Sequence, residues 1–114
     1  MTQQTQQTAA WSLCRNTRGE TIVVFSGRID AKSGQQSVAA LLPEFEAGCV
    51  ELIFDVRTCT GYASEARMAW QEALMPRRNQ IRRIVVISSS ALMRLGATML
   101  GIALGVAVTV VDDH

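Results

Sequence analysis

Histidine, proline and aromatic side chains are scarce in this sequence of 114 residues, which has one histidine, two prolines and 5% aromatic residues. The histidine is His114, the last residue, where no flanking segment orients it as a general base. The GxSxG elbow, the Walker loop and the GxGxxG phosphate loop are all absent. Because His114 is the one histidine, Cys59 has no histidine placed to activate it as a nucleophile. We expect a protein that is not an enzyme, with no catalytic residues, cofactor or metal.

The three cysteines, Cys14, Cys49 and Cys59, fit neither a zinc site nor a disulfide framework. No CxxC pair occurs, and an odd number of cysteines without repeated spacing is not typical of a disulfide-rich secreted domain. Free, mostly buried thiols in a reducing compartment are the simpler interpretation. The first residues also lack the basic and apolar segments of a signal peptide. We therefore expect a cytoplasmic protein.

Neither sign of charge is in excess, because 11 basic residues face 10 acidic ones and the net charge is +1. Such a surface creates no strong field that would attract nucleic acid. With 48% hydrophobic and 18% charged residues, the composition is that of a globular protein. We expect a disordered N-terminal tail over residues 1–10 and a single domain over residues 11–114.

One long apolar run, over residues 91–111, has the length of a membrane span. Arg94 and three glycines interrupt it, and β-branched residues replace small and unbranched ones after Leu104. A buried helix followed by a buried strand explains that change better than a single span. No membrane span is expected.

The hydrophobic pattern predicts strands that alternate with helices. A hairpin opens the domain, with strands over residues 11–15 and 21–25 around a turn. The first helix is capped by Asp30 or Ser33 and interrupted at Pro43. The further strands are predicted over residues 50–56, 81–87 and 106–111, and the further helices over residues 64–77 and 90–104. This ββαβαβαβ order indicates an α/β fold with a mixed sheet and right-handed crossovers.

Two hydroxyl-rich segments follow strands of this sheet, residues 55–65 and residues 88–90. Binding sites in open α/β sheets form beyond the carboxyl ends of the parallel strands, and helix N-termini there favour anions such as phosphate. The competing interpretation is that Ser64 and Ser90 are helix N-caps, the commonest role of a serine at that position.

The sequence resembles the STAS domain family, in particular its anti-sigma-factor antagonists. Residues 27–31 (GRIDA) resemble the family's Gly-x-Leu-Asp-like turn, and residues 52–56 (LIFDV) resemble its central strand, which ends in Asp-Leu. Counted from Asp55, the family's Asp-Ser-Ser-Gly segment falls on residues 63–66 (ASEA). The order of elements agrees as well, so the resemblance covers about residues 11–113. It implies a STAS-like fold with helices packed mainly on one face of the sheet.

The resemblance implies a bacterial signalling regulator that binds a protein partner, such as an anti-sigma factor or a serine kinase. A homodimer is a further expectation. The family's phosphorylated serine corresponds to Ser64, whereas Ala63 and Glu65 depart from the family pattern. A phosphate beside Glu65 would be repelled by its charge, which argues against a phospho-switch. On this basis the second helix and the loop before it are predicted to bind the partner, through Asp30, Thr58, Thr60, Tyr62, Ser64, Glu65, Arg67 and Met68.

A second branch of the same fold, the STAS-like/CRAL-TRIO-like proteins, lacks the phosphoserine signature and is associated with apolar ligands. Methionine adapts to irregular apolar surfaces, so the methionines of the last two helices would suit such a pocket beside Trp70. Ordinary packing of helices on the sheet explains the same residues. A carrier of a lipid or small apolar ligand is thus the alternative function. The residues in question are Met68, Trp70, Met75, Met93, Met99 and the glycines of the third helix.

Overall fold

The strands lie in the sheet in the order in which they occur along the chain. The computed structural model describes residues 6–7 and 11–112. Strands β1 (Gln6–Gln7), β2 (Trp11–Arg15) and β3 (Thr21–Ile29) pair antiparallel, while β4 (Val50–Tyr62), β5 (Ile81–Ile87) and β6 (Val108–Val111) continue the sheet parallel to β3. Helices α1 (Ala31–Leu41), α2 (Ser64–Leu74) and α3 (Ala91–Leu104) connect the parallel strands. The mixed α/β fold predicted from the sequence is confirmed.

The N-terminal tail expected over residues 1–10 lies outside the described residues except for β1. His114, which we excluded as a general base, also lies outside them.

All three helices pack on one face of the sheet. Each crossover moves one strand in the same direction, so right-handed connections place every helix on the same side. The main core joins that face to the buried side chains of the helices, among them Leu41, Trp70 and Leu100. The opposite face carries a smaller apolar cluster contributed by strands alone, centred on Ile53 and Val85.

Strands β3 and β4 run further than the sequence pattern predicted. Residues 26–29 were expected to leave the sheet, yet they remain paired with β4 through two irregularities in the register. Gly27 lies at one of them with φ +68°, a conformation that favours glycine. β4 likewise continues to Tyr62, so the segment before α2 is strand and not the predicted loop. The sequence did not predict these longer strands, because polar residues interrupt the apolar run by which buried strands are recognised.

Proline marks the end of the first two helices. α1 ends at Leu41, and a 3-10 segment with Pro43 follows over Leu42–Ala47. α2 ends at Leu74 and not at Arg77, because Met75–Gln80, which contains Pro76, is also 3-10. Proline fits an early position of such a segment but lacks the N–H that would continue an α-helix.

α3 is 14 residues long and ends at Leu104, and its C-cap Gly105 has a left-handed φ of +70°. A Cβ on Gly101 would lie 2.8 Å from Val108 Cγ2, so this glycine serves close helix-to-strand packing, as expected. β6 begins at Val108, two residues later than predicted. Within the described residues, no helix has the length and apolar character needed to cross a membrane.

Candidate functional site

The carboxyl edge of β3 and β4 brings together most of the residues that the sequence singled out. The Ala63 N–H donates to the Ile29 carbonyl at 2.8 Å, which places the start of α2 beside the start of α1. Helices α1 and α2 then pack closely, since a Cβ on Gly34 would lie only 2.7 Å from Ala66 Cα. Asp30 and Ser64, which precede and begin these two helices, are both exposed at this edge.

Asp30 is the N-cap of α1, as predicted. Its Oδ1 accepts the backbone N–H of Ser33 at 2.8 Å. The hydrogen bonds from the backbone and side chain of Ser33 hold the pKa of the Asp30 carboxyl below its usual range. The carboxylate is therefore charged at neutral pH and belongs to the exposed surface.

Ser64 is not an N-cap, and that interpretation of it was wrong. It is the first residue of α2, the cap position belongs to Ala63, and no side chain caps this helix. Ser64 is exposed together with Glu65. The two N-terminal positions of α2 thus present a hydroxyl and a carboxylate near the positive end of the helix dipole.

The other predicted partner-binding residues lie along β4 and α2. Thr58 and Thr60 are both exposed, and Thr58 donates its hydroxyl to the Phe25 carbonyl at 3.3 Å and lies the same distance from Ser26 Oγ. Arg67 is half-buried and donates to Gln71 Oε1 at 3.1 Å, one turn further along α2. The Met68 side chain is 40% exposed.

Tyr62 differs from these residues because it faces α3. A Cβ on Gly96 would lie 2.9 Å from atoms of the Tyr62 ring, so the ring packs directly on this glycine. Tyr62 is half-buried there and lines a cavity between α2 and α3.

The serines of residues 88–90 serve the local structure. Ser90 caps α3 by accepting the Met93 N–H at 3.4 Å, which confirms the cap interpretation for this residue. Ser88 is buried and its hydroxyl accepts the Ser90 N–H at 3.0 Å. This second hydroxyl-rich segment leaves Ser89 as its exposed member.

The structure gives Cys59 no nucleophilic character. Burial, with a smaller effect of the nearby Asp55 carboxylate, raises the pKa of its thiol to about 11. Asp55 itself is held by Arg57, whose Nη2 lies 2.7 Å from Asp55 Oδ2, and these hydrogen bonds lower the Asp55 pKa. Among the described residues, no group of three or more histidine, cysteine or acidic side chains is placed to hold a metal ion. The thiols are free; Cys14 and Cys59 are partly buried, but Cys49 is exposed, contrary to expectation.

A cavity of about 90 Å³ lies between the sheet and the last two helices. Side chains of β3 and β4 form its floor, including Phe25, Phe54 and Val56. Trp70 of α2 stands on this floor, with its ring centre 4.8 Å from that of Phe54 and the two rings nearly perpendicular. The side of α3 is formed by Met93, Gly96, Ala97 and Leu100.

The sequence located this cavity only in part. Trp70, Met93 and Gly96 line it, as the apolar-ligand interpretation requires, but Met68, Met75 and Met99 do not. The strand residues of the floor were missed because an apolar strand residue beside a cavity looks the same in sequence as one in a filled core. Trp70 Nε1 is buried without a hydrogen-bond partner.

Comparison with solved structures identifies the architecture. An uncharacterised protein of the DUF3478 family from Shewanella loihica PV-4, described as having a SpoIIAA-like fold, is similar with a TM-score of 0.70. The similarity covers 91% of this chain and 86% of that one, at 11% sequence identity. The chain has the STAS fold. No protein-family model and no curated protein matches the sequence.

The STAS-like fold that the resemblance implied is thereby confirmed. Proteins of this fold are typically non-enzymatic and often serve in protein interaction. At 11% identity the likeness extends to the fold alone.

Proposed function

We propose that this chain is a non-enzymatic signalling module that binds a protein partner through the β4–α2 face. We define this face as the exposed side chains of Asp30, Thr58, Thr60, Ser64, Glu65 and Met68. Met68 supplies the observation that carries the proposal, because its large apolar side chain is 40% exposed on a mostly polar surface. Ser64 and Glu65 lie four and three residues before it, on the same side of α2. An apolar centre with a polar rim is the usual anatomy of a transient interface.

The partner class that fits this face is a signalling protein of the anti-sigma-factor or serine-kinase type, as the STAS fold suggests. Phosphorylation of Ser64 would add up to two negative charges at the rim. The start of α2 favours that charge through its dipole, whereas Glu65 and the ionised Asp30 oppose it. The added charge would weaken docking of the partner, so we place any regulation at the exposed hydroxyl of Ser64.

Affinity capture from the native cytosol tests the proposal with three variants. Met68→Glu and Ser64→Glu alter the β4–α2 face at exposed positions, so neither should unfold the domain. Arg78→Glu is the matched control, because it also places a carboxylate at an exposed position, in the 3-10 segment after α2. We expect a protein that is retained by wild type and Arg78→Glu and lost with the two face variants. Equal recovery with all four proteins, or with none, would exclude this face as the binding surface.

The cavity beneath Trp70 favours a second candidate, a carrier of a small apolar ligand. The cavity is smaller than the roughly 150 Å³ that accepts benzene in an engineered core, so it would hold only a short hydrocarbon end unless α2 and α3 separate. Its lining is supplied almost wholly by apolar side chains. The ligand class is therefore an apolar chain or a small ring without charge at its inner end.

Trp70 reports on ligand entry once Trp11 is replaced by phenylalanine, since these are the two tryptophans of the chain. Titration with decanol should change the Trp70 fluorescence, and Ala97→Leu should abolish the change by filling the cavity. Ala103→Leu, on the same helix but away from the lining, is the control. Saturable binding that survives Ala97→Leu would contradict this candidate.

A further inference from the structure

α3 is apolar on two opposite faces. Its inner face buries Met93, Ala97, Leu100 and Leu104 against the sheet and α2. Its outer face carries four large apolar side chains, which we call the α3 seam, and their exposed fractions run from 39% to 77%. A helix at a protein surface normally presents polar residues to solvent, so an apolar outer face indicates an interaction surface. The α3 seam consists of Leu92, Leu95, Met99 and Ile102.

The neighbouring helices show what an ordinary outer face looks like in this protein. On α1 the exposed side chains include Lys32, Gln35 and Gln36, and on α2 they include Glu65 and Glu72. These helices lie on the same face of the same sheet. The apolar outer face is thus particular to α3 and does not follow from the fold.

The spacing of the α3 seam fits another helix. Its residues follow one another at intervals of three, four and three, which is the a/d pattern of helices that pack side by side. Small side chains border the seam at Ala91 and Ala103 and leave room for a second backbone. A seam of this kind is self-complementary across a two-fold axis.

Charge distinguishes a second protein helix from a lipid surface. Helices that lie on membranes usually carry lysine and arginine along their polar side. α3 has a single charged residue, Arg94, and its Nη2 is held at 2.6 Å by Asp112 Oδ1. The surroundings of the α3 seam therefore offer little attraction to anionic lipid and little repulsion to a second copy of the same helix.

We propose that two copies of this chain associate through the α3 seam as a weak homodimer. The four side chains expose about 400 Å² of apolar surface per copy, within the range of the largest apolar patches on single proteins. Pairing two seams therefore buries about 800 Å², less than the roughly 1,200 Å² at which standard specific interfaces begin and the size of a weak, transient contact. The expected dissociation constant is therefore micromolar or weaker. The dimer leaves the β4–α2 face unaltered and stands independently of the proposed function.

Sedimentation equilibrium of the full chain over a range of micromolar concentrations tests the dimer. Ile102→Glu places a charge in the α3 seam at a position that is 77% exposed, so the fold should be retained and circular dichroism verifies this. Met68→Glu is the matched control, because it makes the same kind of change at an exposed apolar residue outside α3. We expect wild type and Met68→Glu to dimerise with similar constants, and Ile102→Glu to weaken association at least tenfold.

Three outcomes would overturn the proposal. The first is a wild-type chain that stays monomeric up to millimolar concentration. The second is dimerisation that Ile102→Glu leaves unchanged. The third is a monomer that binds vesicles of phosphatidylglycerol and phosphatidylcholine through the same side chains, which would assign the α3 seam to a lipid surface.

Discussion

The two interfaces of α2 differ in how closely they are packed. Toward α1, Gly34 approaches the backbone of Ala66 so closely that even one methyl group would collide. Toward α3, α2 leaves a cavity of about 90 Å³, and beside this cavity Gly96 of α3 contacts the ring of Tyr62, the last residue of β4. Backbone against backbone has no freedom to adjust, whereas a ring at the end of a side chain has. The contact between α1 and α2 is thus the fixed one, and the contact of α3 with the Tyr62 ring is the adaptable one.

The largest effect is expected where the packing is closest. Gly34→Ala places a Cβ 2.7 Å from Ala66 Cα and 2.9 Å from Ala66 Cβ, so α1 and α2 must move apart. We expect a loss of about 2 kcal/mol in the free energy of unfolding, despite the better helix propensity of alanine. Urea denaturation measures it.

A double variant checks the cause of that loss. Ala66→Gly removes the Ala66 Cβ but leaves the contact with the Ala66 Cα. The double variant Gly34→Ala/Ala66→Gly should therefore recover only part of the lost stability. A stable Gly34→Ala protein would mean that the α1–α2 contact is as adaptable as the one at α3.

The closeness of α1 and α2 could not be read from the sequence, although much of the fold could. Periodicity located β2 and β5 to the residue, because β2 alternates apolar and polar residues before a turn and β5 ends in a contiguous apolar run. The ends of β3 and β4 escaped it, since Thr58 and Thr60 are polar residues in a strand that projects beyond its covered region. A close approach such as that of Gly34 depends on two segments 32 residues apart, and no local pattern records it.

In the candidate site, too, local interactions could be predicted from the sequence and contacts between distant segments could not. Asp30 and Ser90 were recognisable as caps because capping is a local interaction over three residues. The assignment of Ser64 as an N-cap was wrong, because α2 begins at Ser64 itself and the cap position belongs to Ala63. The cavity and the α3 seam depend on which face of each helix meets the sheet, and an all-round apolar helix does not show that in its sequence.

Ser90 and Ser64 lie at the starts of α3 and α2, but only the Ser90 hydroxyl caps its helix. Ser90→Ala removes the cap of α3 and should lower the free energy of unfolding by about 1 kcal/mol. Ser64→Ala removes no cap and should change it by less than about 0.5 kcal/mol. Thermal unfolding of both variants measures the difference, and a larger loss for Ser64→Ala would show that Ser64 has a structural role at the start of α2.

Gly96→Ala is the counterpart of Gly34→Ala on the adaptable side. The new Cβ would lie 2.9 Å from the Tyr62 ring, which can rotate or shift toward the cavity. Because alanine also favours the helix by up to about 1 kcal/mol, the net change should stay within about 1 kcal/mol. We expect shifted ring resonances of Tyr62 by NMR with little loss of stability. A loss as large as that of Gly34→Ala would remove the distinction between the two interfaces.

The smallest effect concerns pH, and it should appear at α1 and not at α3. The α1 cap is the carboxylate of Asp30, whereas the α3 cap is the hydroxyl of Ser90, which does not titrate. The pKa of Asp30 is lowered in the folded state by its hydrogen bonds to Ser33. Its capping contribution is therefore fully present above the ordinary carboxyl pKa of about 3.9 and is lost as the pH falls through the lower, folded value.

An NMR titration of the backbone amides resolves this difference. The Ser33 amide, which donates to Asp30 Oδ1, should shift with a midpoint below 3.9, while the Met93 amide of the α3 cap should not follow the same curve. Asp30→Ser keeps a side-chain oxygen at the cap and removes the titrating group, so the Ser33 transition should vanish while α1 remains folded. If Ser33 still titrates in that variant, the transition arises from another carboxyl, and the cap of α1 is no more sensitive to acid than that of α3.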